Sequence, residues 1–168
     1  MWSRIAGAAA VLVTGLSAGF FYTYADSVTR GLARTSDDVY VAAFQRINEE
    51  VRTPLFMVVF AAPPVLAVLA AVLMRRRPPA GWLFAVAAVV YLVGVIVVTA
   101  SVNVPLNEAL ASDGDRAAFE GRWNSFNLVR SWASFGSFAL AVVALAWPSH
   151  SSGRMKKRAS VNVGAGML

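Results

Sequence analysis

The sequence contains no cysteine, and its one histidine, His150, lies close to the carboxyl terminus. The absence of cysteine excludes disulfides, iron–sulfur clusters, thiolate metal sites and a cysteine nucleophile. A lone imidazole in a polar terminal segment also argues against a haem ligand. We therefore predict no metal site and no cofactor, and any enzymatic function has to operate without these groups.

Charged residues are scarce as well. They make up 14% of the 168 residues, whereas residues of the hydrophobic set make up 58%. Because a soluble domain carries roughly 25% charged residues, the shortfall excludes a disordered chain and a water-soluble globule. The net charge of +6 would suit a nucleic-acid partner only if the basic residues formed one patch.

Four apolar segments are long enough to cross a bilayer, which takes about 20 helical residues. They cover residues 5–24, 54–74, 81–102 and 131–147, and the last reaches spanning length if it begins near Phe126. The first segment has the alternative of a cleaved signal peptide that ends at Ala25. It is longer than the roughly 7–15 apolar residues of a signal, so we predict a retained helix.

The charges that flank these segments predict the orientation. Arg4, Arg75 to Arg77 and the basic residues after the fourth segment sum to +8, whereas loops 25–53 and 103–130 sum to −2. By the positive-inside rule, the protein is integral to the cytoplasmic membrane, with both termini cytoplasmic and both loops outward. The basic residues are then topology signals, so we predict the lipid bilayer as partner and no nucleic acid.

Both outward loops carry the pattern of an amphipathic helix. Each begins with capping residues, Thr35 and Ser36 in the first loop and the turn 112–115 in the second. The stripes superpose at an offset of 79 residues, which predicts a parallel repeat of two hairpins; chance agreement is the alternative. The apolar stripes at helical spacing are Tyr40, Phe44, Ile47 and Val51, then Phe119, Trp123, Phe126 and Arg130.

The predicted fold is therefore all-α. Four transmembrane helices form two parallel-repeat hairpins, and each outward loop holds an amphipathic helix that continues into the next membrane helix. Residues 1–150 form this domain, and residues 151–168 form a disordered basic cytoplasmic tail.

Two smaller patterns concern the packing of the helices. Gly15 and Gly19 form a small-xxx-small face, which lets a neighbouring helix approach closely. Pro63 and Pro64 should kink the second membrane helix and free backbone carbonyls, which either face a cavity or are satisfied by packing.

Polar side chains cluster near the outward ends of the helices. Groups at that depth are costly unless they pair or line a wet cavity, so we predict a shared polar pocket. This cost is expected to be greatest for Arg130, because its helix continues into uncharged sequence. The alternatives are packing between helices, snorkelling to the membrane surface, and a helix end at Asn103-Val-Pro. The polar residues are Gln45, Asn48, Asn103, Asn107, Asn127 and Arg130.

Four short motifs, in this order and spacing, resemble the anthrone oxygenase-like family of small four-helix membrane proteins. The motifs are GLSAGFF at residues 15–21, FQRIN at 44–48, NVPLN at 103–107 and WNSFNLVR at 123–130. The resemblance covers about residues 5–147. It implies that the chain is related to proteins that oxidise anthrones to anthraquinones with oxygen, without a known metal or flavin.

Two functions follow as hypotheses. The first is a cofactor-free oxygenase of planar aromatic or polyketide-like substrates, with Asp26, Glu49 or Glu108 as base. The second is a non-enzymatic small-molecule binding or accessory membrane protein; transport would require a homo-oligomer, formed through faces such as that of Gly15 and Gly19. The expected small-molecule partner is an apolar aromatic compound, and both hypotheses predict that Arg130 and Asn127 face the interior of the bundle. The predicted catalytic residues are Arg130 and Asn127, and the predicted substrate-binding residues are Gln45, Asn48, Asn103, Asn107, Trp123, Phe44 and Phe126.

Overall fold

The computed structural model describes residues 1–148, and over this range the chain is all-helical without a strand. The all-α prediction is confirmed. His150 and the predicted tail, residues 151–168, lie outside the described residues. The helices are α1 (Trp2–Leu32), α2 (Asp37–Glu50), α3 (Pro54–Leu73), α4 (Pro78–Asp113) and α5 (Arg116–Ala146), and all except α2 are long and apolar enough to cross a membrane.

The four long helices form a bundle in which α1 packs against α3 and α5, and α4 packs against the same two helices. The helix α2 covers one end of the bundle, which we call the α2 end. Arg75–Arg77 follow α3 at the opposite end, the arginine end. Whether the hairpins form a parallel repeat stays a prediction.

Small residues let these helices approach closely. A Cβ atom at Gly94 of α4 would lie 2.4 Å from the Cβ of Ala133 on α5, and one at Gly15 would lie 3.0 Å from the Phe138 ring. Gly15 therefore packs within its own chain. A Cβ at Gly19 would have no neighbouring atom of residues 1–148 within 4 Å.

The two amphipathic helices end differently. The second runs unbroken into its membrane helix, as predicted, because α5 is continuous from Arg116 to Ala146. The first does not: α2 ends at Glu50, and Thr53 has extended backbone angles and caps α3 through its side chain. The cause is Pro54, since a residue that precedes proline is disfavoured in the helical conformation.

Three π-helical segments widen the long helices near the α2 end: Tyr24–Val28 in α1, and Leu92–Val97 and Thr99–Asn103 in α4. The helix α4 continues through Asn103-Val-Pro to Asp113, so a helix end at this motif was a wrong alternative. Pro105 is the second residue after a π-helical segment and lies in the first turn of the next α-helical stretch, where its missing N–H is tolerated.

The adjacent prolines of α3 lie inside a continuous helix. The Phe60 carbonyl would normally accept from the N–H of Pro64, which proline lacks. It accepts instead from the Tyr91 hydroxyl of α4 at 3.1 Å, and Ser17 of α1 is hydrogen-bonded to the same hydroxyl. Packing therefore satisfies this carbonyl.

Candidate functional site

A cavity of about 340 Å³ lies inside the bundle at the α2 end, and we call it the aromatic cavity. All five helices contribute to its lining. Two charged residues, Arg52 and Glu108, line the cavity and are exposed at the protein surface. The other polar groups of the lining come from Asn48, Thr99, Asn107, Asn127 and Arg130. Seven aromatic rings line the cavity: Phe20, Phe21, Tyr24, Phe44, Phe56, Phe60 and Trp123.

The helix α5 presents three of the predicted residues to this cavity. Trp123, Asn127 and Arg130 are four and three residues apart, which places them on one face of a helix. Arg130 is 6% exposed and Asn127 is 1% exposed, so both side chains lie within the protein.

Arg130 makes two hydrogen bonds through its terminal nitrogens. Nη2 donates to Asn127 Oδ1 at 2.9 Å, and Nη1 donates to Thr99 Oγ1 at 3.3 Å. Among residues 1–148, the Nε of Arg130 and the Nδ2 of Asn127 have no hydrogen-bond partner, and each exposes less than 1 Å² of surface. Two side chains that line the cavity therefore each hold an unpartnered donor, which a ligand could reach only if the side chain moves.

The positive charge of Arg130 has no carboxylate within 4 Å among residues 1–148. Its guanidinium carbon lies 4.9 Å from the centre of the Phe21 ring and 5.1 Å from that of Trp123. Such cation–π contacts contribute about 0.5–2 kcal/mol, whereas burial of an ion costs several kcal/mol. The aromatic faces therefore offset only part of the cost, and an anionic ligand would supply the missing charge.

An amide relay connects three helices beside the cavity. Trp123 Nε1 donates to Asn107 Oδ1 at 2.8 Å, and Asn107 Nδ2 donates to Asn48 Oδ1 at 3.0 Å. The relay fixes the indole ring of α5 against α4 and ties α4 to α2. The wall of the aromatic cavity is thus held in place by hydrogen bonds as well as by packing.

The helix α2 is held over the cavity by apolar and polar contacts. Its buried rings, Tyr40 and Phe44, pack with Phe119 and Trp123 of α5, and the Phe44 and Trp123 centroids are 4.9 Å apart. Gln45 Nε2 donates to the Leu110 carbonyl at 3.0 Å. The two predicted aromatic stripes therefore pack directly against each other.

Arg116 fastens the beginning of α2 to α5. It donates to the carboxylates of Asp37 at 2.9 Å and Glu120 at 2.8 Å, and to the carbonyls of Ala33 and Thr35. Its guanidinium also lies 4.3 Å from the centre of the Tyr40 ring. Burial, followed by the nearby charge of Glu120, raises the pKa of Tyr40 to about 12, so this phenol stays neutral.

Six of the nine predicted site residues line the aromatic cavity. Of the other three, Gln45 lines a neighbouring cavity and Phe126 is half-buried. Asn103 is buried, and neither of its side-chain polar atoms has a partner within the described part of the chain. Phe126 lies about 40° around α5 from Arg130, at the edge of the face that meets the cavity. The six lining residues are Phe44, Asn48, Asn107, Trp123, Asn127 and Arg130.

The neighbouring cavity, of about 360 Å³, lies between α2 and α4, and we call it the polar cavity. It shares Phe44, Asn48, Arg52, Asn107 and Glu108 with the aromatic cavity. The two cavities therefore meet along these five residues, which include the hydrogen-bonded Asn48–Asn107 pair.

The three carboxylates predicted as bases occupy different places. Glu108 lines the aromatic cavity. Asp26 is paired with Arg30 at 3.4 Å on the surface, and Glu49 is paired with Arg46 at 3.3 Å. In the part of the chain that the structure describes, no group of three or more histidine, aspartate or glutamate side chains is arranged to hold a metal ion.

Sequence patterns did not identify the aromatic residues of α1 and α3 or Thr99 as part of the site. Phe20 and Phe21 lie in one of the quoted motifs, and Phe56 and Phe60 have the spacing of one helical face. These signals are those of ordinary lipid-facing helices. Tyr24 and Thr99 lie in π-helical segments, for which the sequence offers no pattern.

A family model described as anthrone oxygenase matches residues 53–140. The match covers more than half of the chain and includes α3, α4 and most of α5, with the polar residues from Asn103 to Arg130. No curated protein and no solved structure matches the chain. The family model confirms the resemblance on a stretch that holds two of the four motifs, and the chain belongs to the anthrone oxygenase family.

Proposed function

We propose that the chain binds a planar aromatic ketone such as an anthrone in the aromatic cavity and oxidises it with molecular oxygen. The observation that carries this proposal is the buried guanidinium of Arg130, which has no carboxylate within 4 Å among residues 1–148 and lines a cavity with seven aromatic rings. A volume of about 340 Å³ lies in the range of small-molecule sites, roughly 300–1,000 Å³.

The chemistry begins with loss of a proton from the CH₂ group of the anthrone, which places negative charge on its carbonyl oxygen. The positive charge of Arg130, whose side chain lines the cavity, stabilises this oxyanion. Movement of the buried Arg130 Nε and Asn127 Nδ2 towards the ligand would add two hydrogen bonds. Glu108 is the carboxylate that lines the same cavity, and we assign it the role of base.

Oxygen then oxidises the ring carbon of the enolate. The electron pair released by deprotonation forms a C–O bond to O₂, and a proton completes a hydroperoxide at that carbon. Cleavage of the O–O bond with loss of water leaves the second carbonyl of the quinone. The balance is one anthrone and one O₂ consumed, and one anthraquinone and one water formed.

The test is anthrone oxidation by the purified protein in lipid nanodiscs, measured as quinone absorbance and oxygen uptake above the spontaneous rate. Arg130→Gln removes the charge, and loss of an oxyanion donor costs about 10²–10³ in kcat. Arg122→Gln is the matched control, since Arg122 is an exposed residue of the same helix. Equal rates for Arg130→Gln and Arg122→Gln would contradict the proposed role.

A non-enzymatic binding protein is the second candidate. The observation that favours it is the position of Glu108, which is exposed, so the cavity has no deeply buried base. The variant Glu108→Gln distinguishes the oxygenase from the binding protein, because it removes the proposed base. Loss of anthrone oxidation with unchanged ligand affinity supports the oxygenase. Tight ligand binding by the wild-type protein without quinone formation supports the binding protein.

We further propose that the protein lies in the cytoplasmic membrane with the α2 end outward. The support is the sequence charge, which is net negative in the two loops of the α2 end and positive at the arginine end. Because the chain lacks cysteine, Ala43→Cys and Arg76→Cys can be labelled separately in whole cells. Labelling of residue 43 but not of residue 76 by an impermeant maleimide is expected, and the reverse pattern would overturn the orientation.

A further inference from the structure

The helices α3 and α4 part from each other towards the α2 end. The helix α3 packs along Pro78–Tyr91 of α4 and has only sparse contact with the rest of that helix. From Leu92 onward, α4 packs against α5, and its last turns also pack against α2. The Tyr91–Phe60 hydrogen bond marks the region where the two helices separate. A cleft therefore lies between the first turns of α3 and the second half of α4.

This cleft leads into the aromatic cavity. Met57 of α3 and Val104 of α4 both line the cavity, yet they are 49% and 39% exposed at the protein surface. Phe56 and Phe60 line the cavity from the same end of α3, and Thr99 lines it from α4. The cavity thus opens sideways, between two of the helices that are apolar enough to span a membrane.

The surface around the opening is apolar. Leu55 and Val58 beside Met57 are exposed, and so is Val97 on α4. Two charged residues that line the cavity, Arg52 before α3 and Glu108 one turn beyond Val104, are also exposed. The opening therefore lies where an apolar belt meets a charged border, as at the boundary between lipid tails and head groups.

We propose that the cleft between Met57 and Val104 is a lateral portal through which the ligand enters from the bilayer in its neutral form. This inference rests on the proposed function, because it assumes that a planar aromatic molecule binds in the aromatic cavity. A neutral aromatic partitions into lipid and crosses an apolar opening, whereas its anion does so at high cost. The proton is then lost inside, beside Arg130.

The competing route is entry from water through the polar cavity. That route meets the aromatic cavity at five shared residues, among them the Asn48–Asn107 pair, which is hydrogen-bonded at 3.0 Å and braced by Trp123. Passage between Asn48 and Asn107 would require this relay to break. The lateral portal needs no hydrogen bond to open, because apolar side chains form its rim.

The experiment measures how fast a hydroxyanthraquinone dissolved in the lipid of proteoliposomes binds, from the quenching of protein tryptophan fluorescence. Val104→Trp narrows the portal and should slow both association and dissociation by about tenfold or more, whereas Val104→Ala should speed both. Met57→Trp repeats the test from the other rim. Both positions are partly exposed at the rim of the opening, so the larger side chain can occupy the opening without displacing a buried core residue. The matched control is Ala111→Trp in the polar cavity, which should leave both rates unchanged.

Wild-type rates in both portal tryptophan variants, with slow binding in Ala111→Trp, would overturn the portal in favour of entry from water. Wild-type rates in all three tryptophan variants would overturn it as well. A loss of affinity through faster dissociation in Val104→Trp would show a binding contact and contradict a portal. If the wild-type protein does not bind the probe at all, the proposed function itself fails, and that outcome is distinct from the others.

Discussion

Gly94→Ala tests the close approach of α4 and α5 that positions the site. The new Cβ would lie 2.4 Å from the Cβ of Ala133, whereas carbon atoms in contact prefer about 3.5–4.0 Å. Both atoms are fixed to a backbone, so no rotamer relieves the overlap and the helices must separate by about 1 Å. Overpacking of this kind costs about 1–3 kcal/mol.

The matched control is Gly19→Ala, because a Cβ there would have nothing within 4 Å. Alanine in a helix is favoured over glycine by about 1 kcal/mol, and both variants have this gain. Their difference therefore measures the overlap alone. At roughly 2–4 °C per kcal/mol for a chain of this size, Gly94→Ala should unfold about 2–12 °C below Gly19→Ala.

The assay is thermal unfolding of the purified protein in detergent, followed by tryptophan fluorescence. Ala133→Gly removes the overlapping methyl group but itself costs about 1 kcal/mol, because glycine is less favourable than alanine in a helix. Gly94→Ala should therefore cost much less when it is added to Ala133→Gly than when it is added to the wild-type protein. Because the same contact lies close to Thr99 and Arg130, ligand binding should fall and recover in parallel. Equal apparent Tm values for Gly94→Ala and Gly19→Ala, or an equal cost of Gly94→Ala with Ala133 and with Gly at position 133, would refute the reasoning.

Three further predictions concern the hydrogen bonds that hold the bundle. Tyr91→Phe removes the donor to the carbonyl freed by Pro64 and should cost about 1–3 kcal/mol in unfolding; the cost should shrink in a Pro64→Ala background, and equal costs would contradict the assignment. Arg116→Lys cannot make the four hydrogen bonds that the guanidinium makes to Ala33, Thr35, Asp37 and Glu120, so amide hydrogen exchange in α2 should accelerate. Unchanged exchange would show that these hydrogen bonds are not needed to hold α2. Trp123→Phe keeps a ring but breaks the relay, which should weaken ligand binding about fivefold by titration; unchanged affinity would show that the ring alone matters.

The architecture could be predicted because it depends on long runs of similar residues. The uncharged apolar segments predict α1, α3, α4 and α5, and the aromatic spacing predicts α2. The break before Pro54 was missed, although proline there is a sequence signal, because the two repeats were expected to behave alike. The unbroken passage through Asn103-Val-Pro depends on packing and on π-helical segments, which leave no sequence pattern.

The part of the site on α4 and α5 was predictable from the sequence, whereas the part on α1 and α3 was not. Asn107, Trp123 and Arg130 are conspicuous because polar groups or indoles in apolar surroundings are unusual, and all three line the aromatic cavity. Phe21 and Phe60 are ordinary residues of apolar helices, and only the packing of α1 and α3 brings them to the cavity. Polar residues of a site inside a membrane bundle can therefore be identified from the sequence. The apolar residues that line the same cavity can be identified only once the packing of the helices is known.

The central claim is that Arg130 holds the ligand as an anion. The most direct measurement is the pKa of a bound hydroxyanthraquinone, whose visible absorption reports ionisation of its hydroxyl group, in the wild-type protein and in Arg130→Gln. A cation within about 4–6 Å lowers the pKa of an acid by about 1–3, so the wild-type protein should bind the coloured anion at a pH where the free dye is neutral, and Arg130→Gln should not. The same ligand pKa in both proteins, equal to that of the dye in lipid alone, would contradict the account.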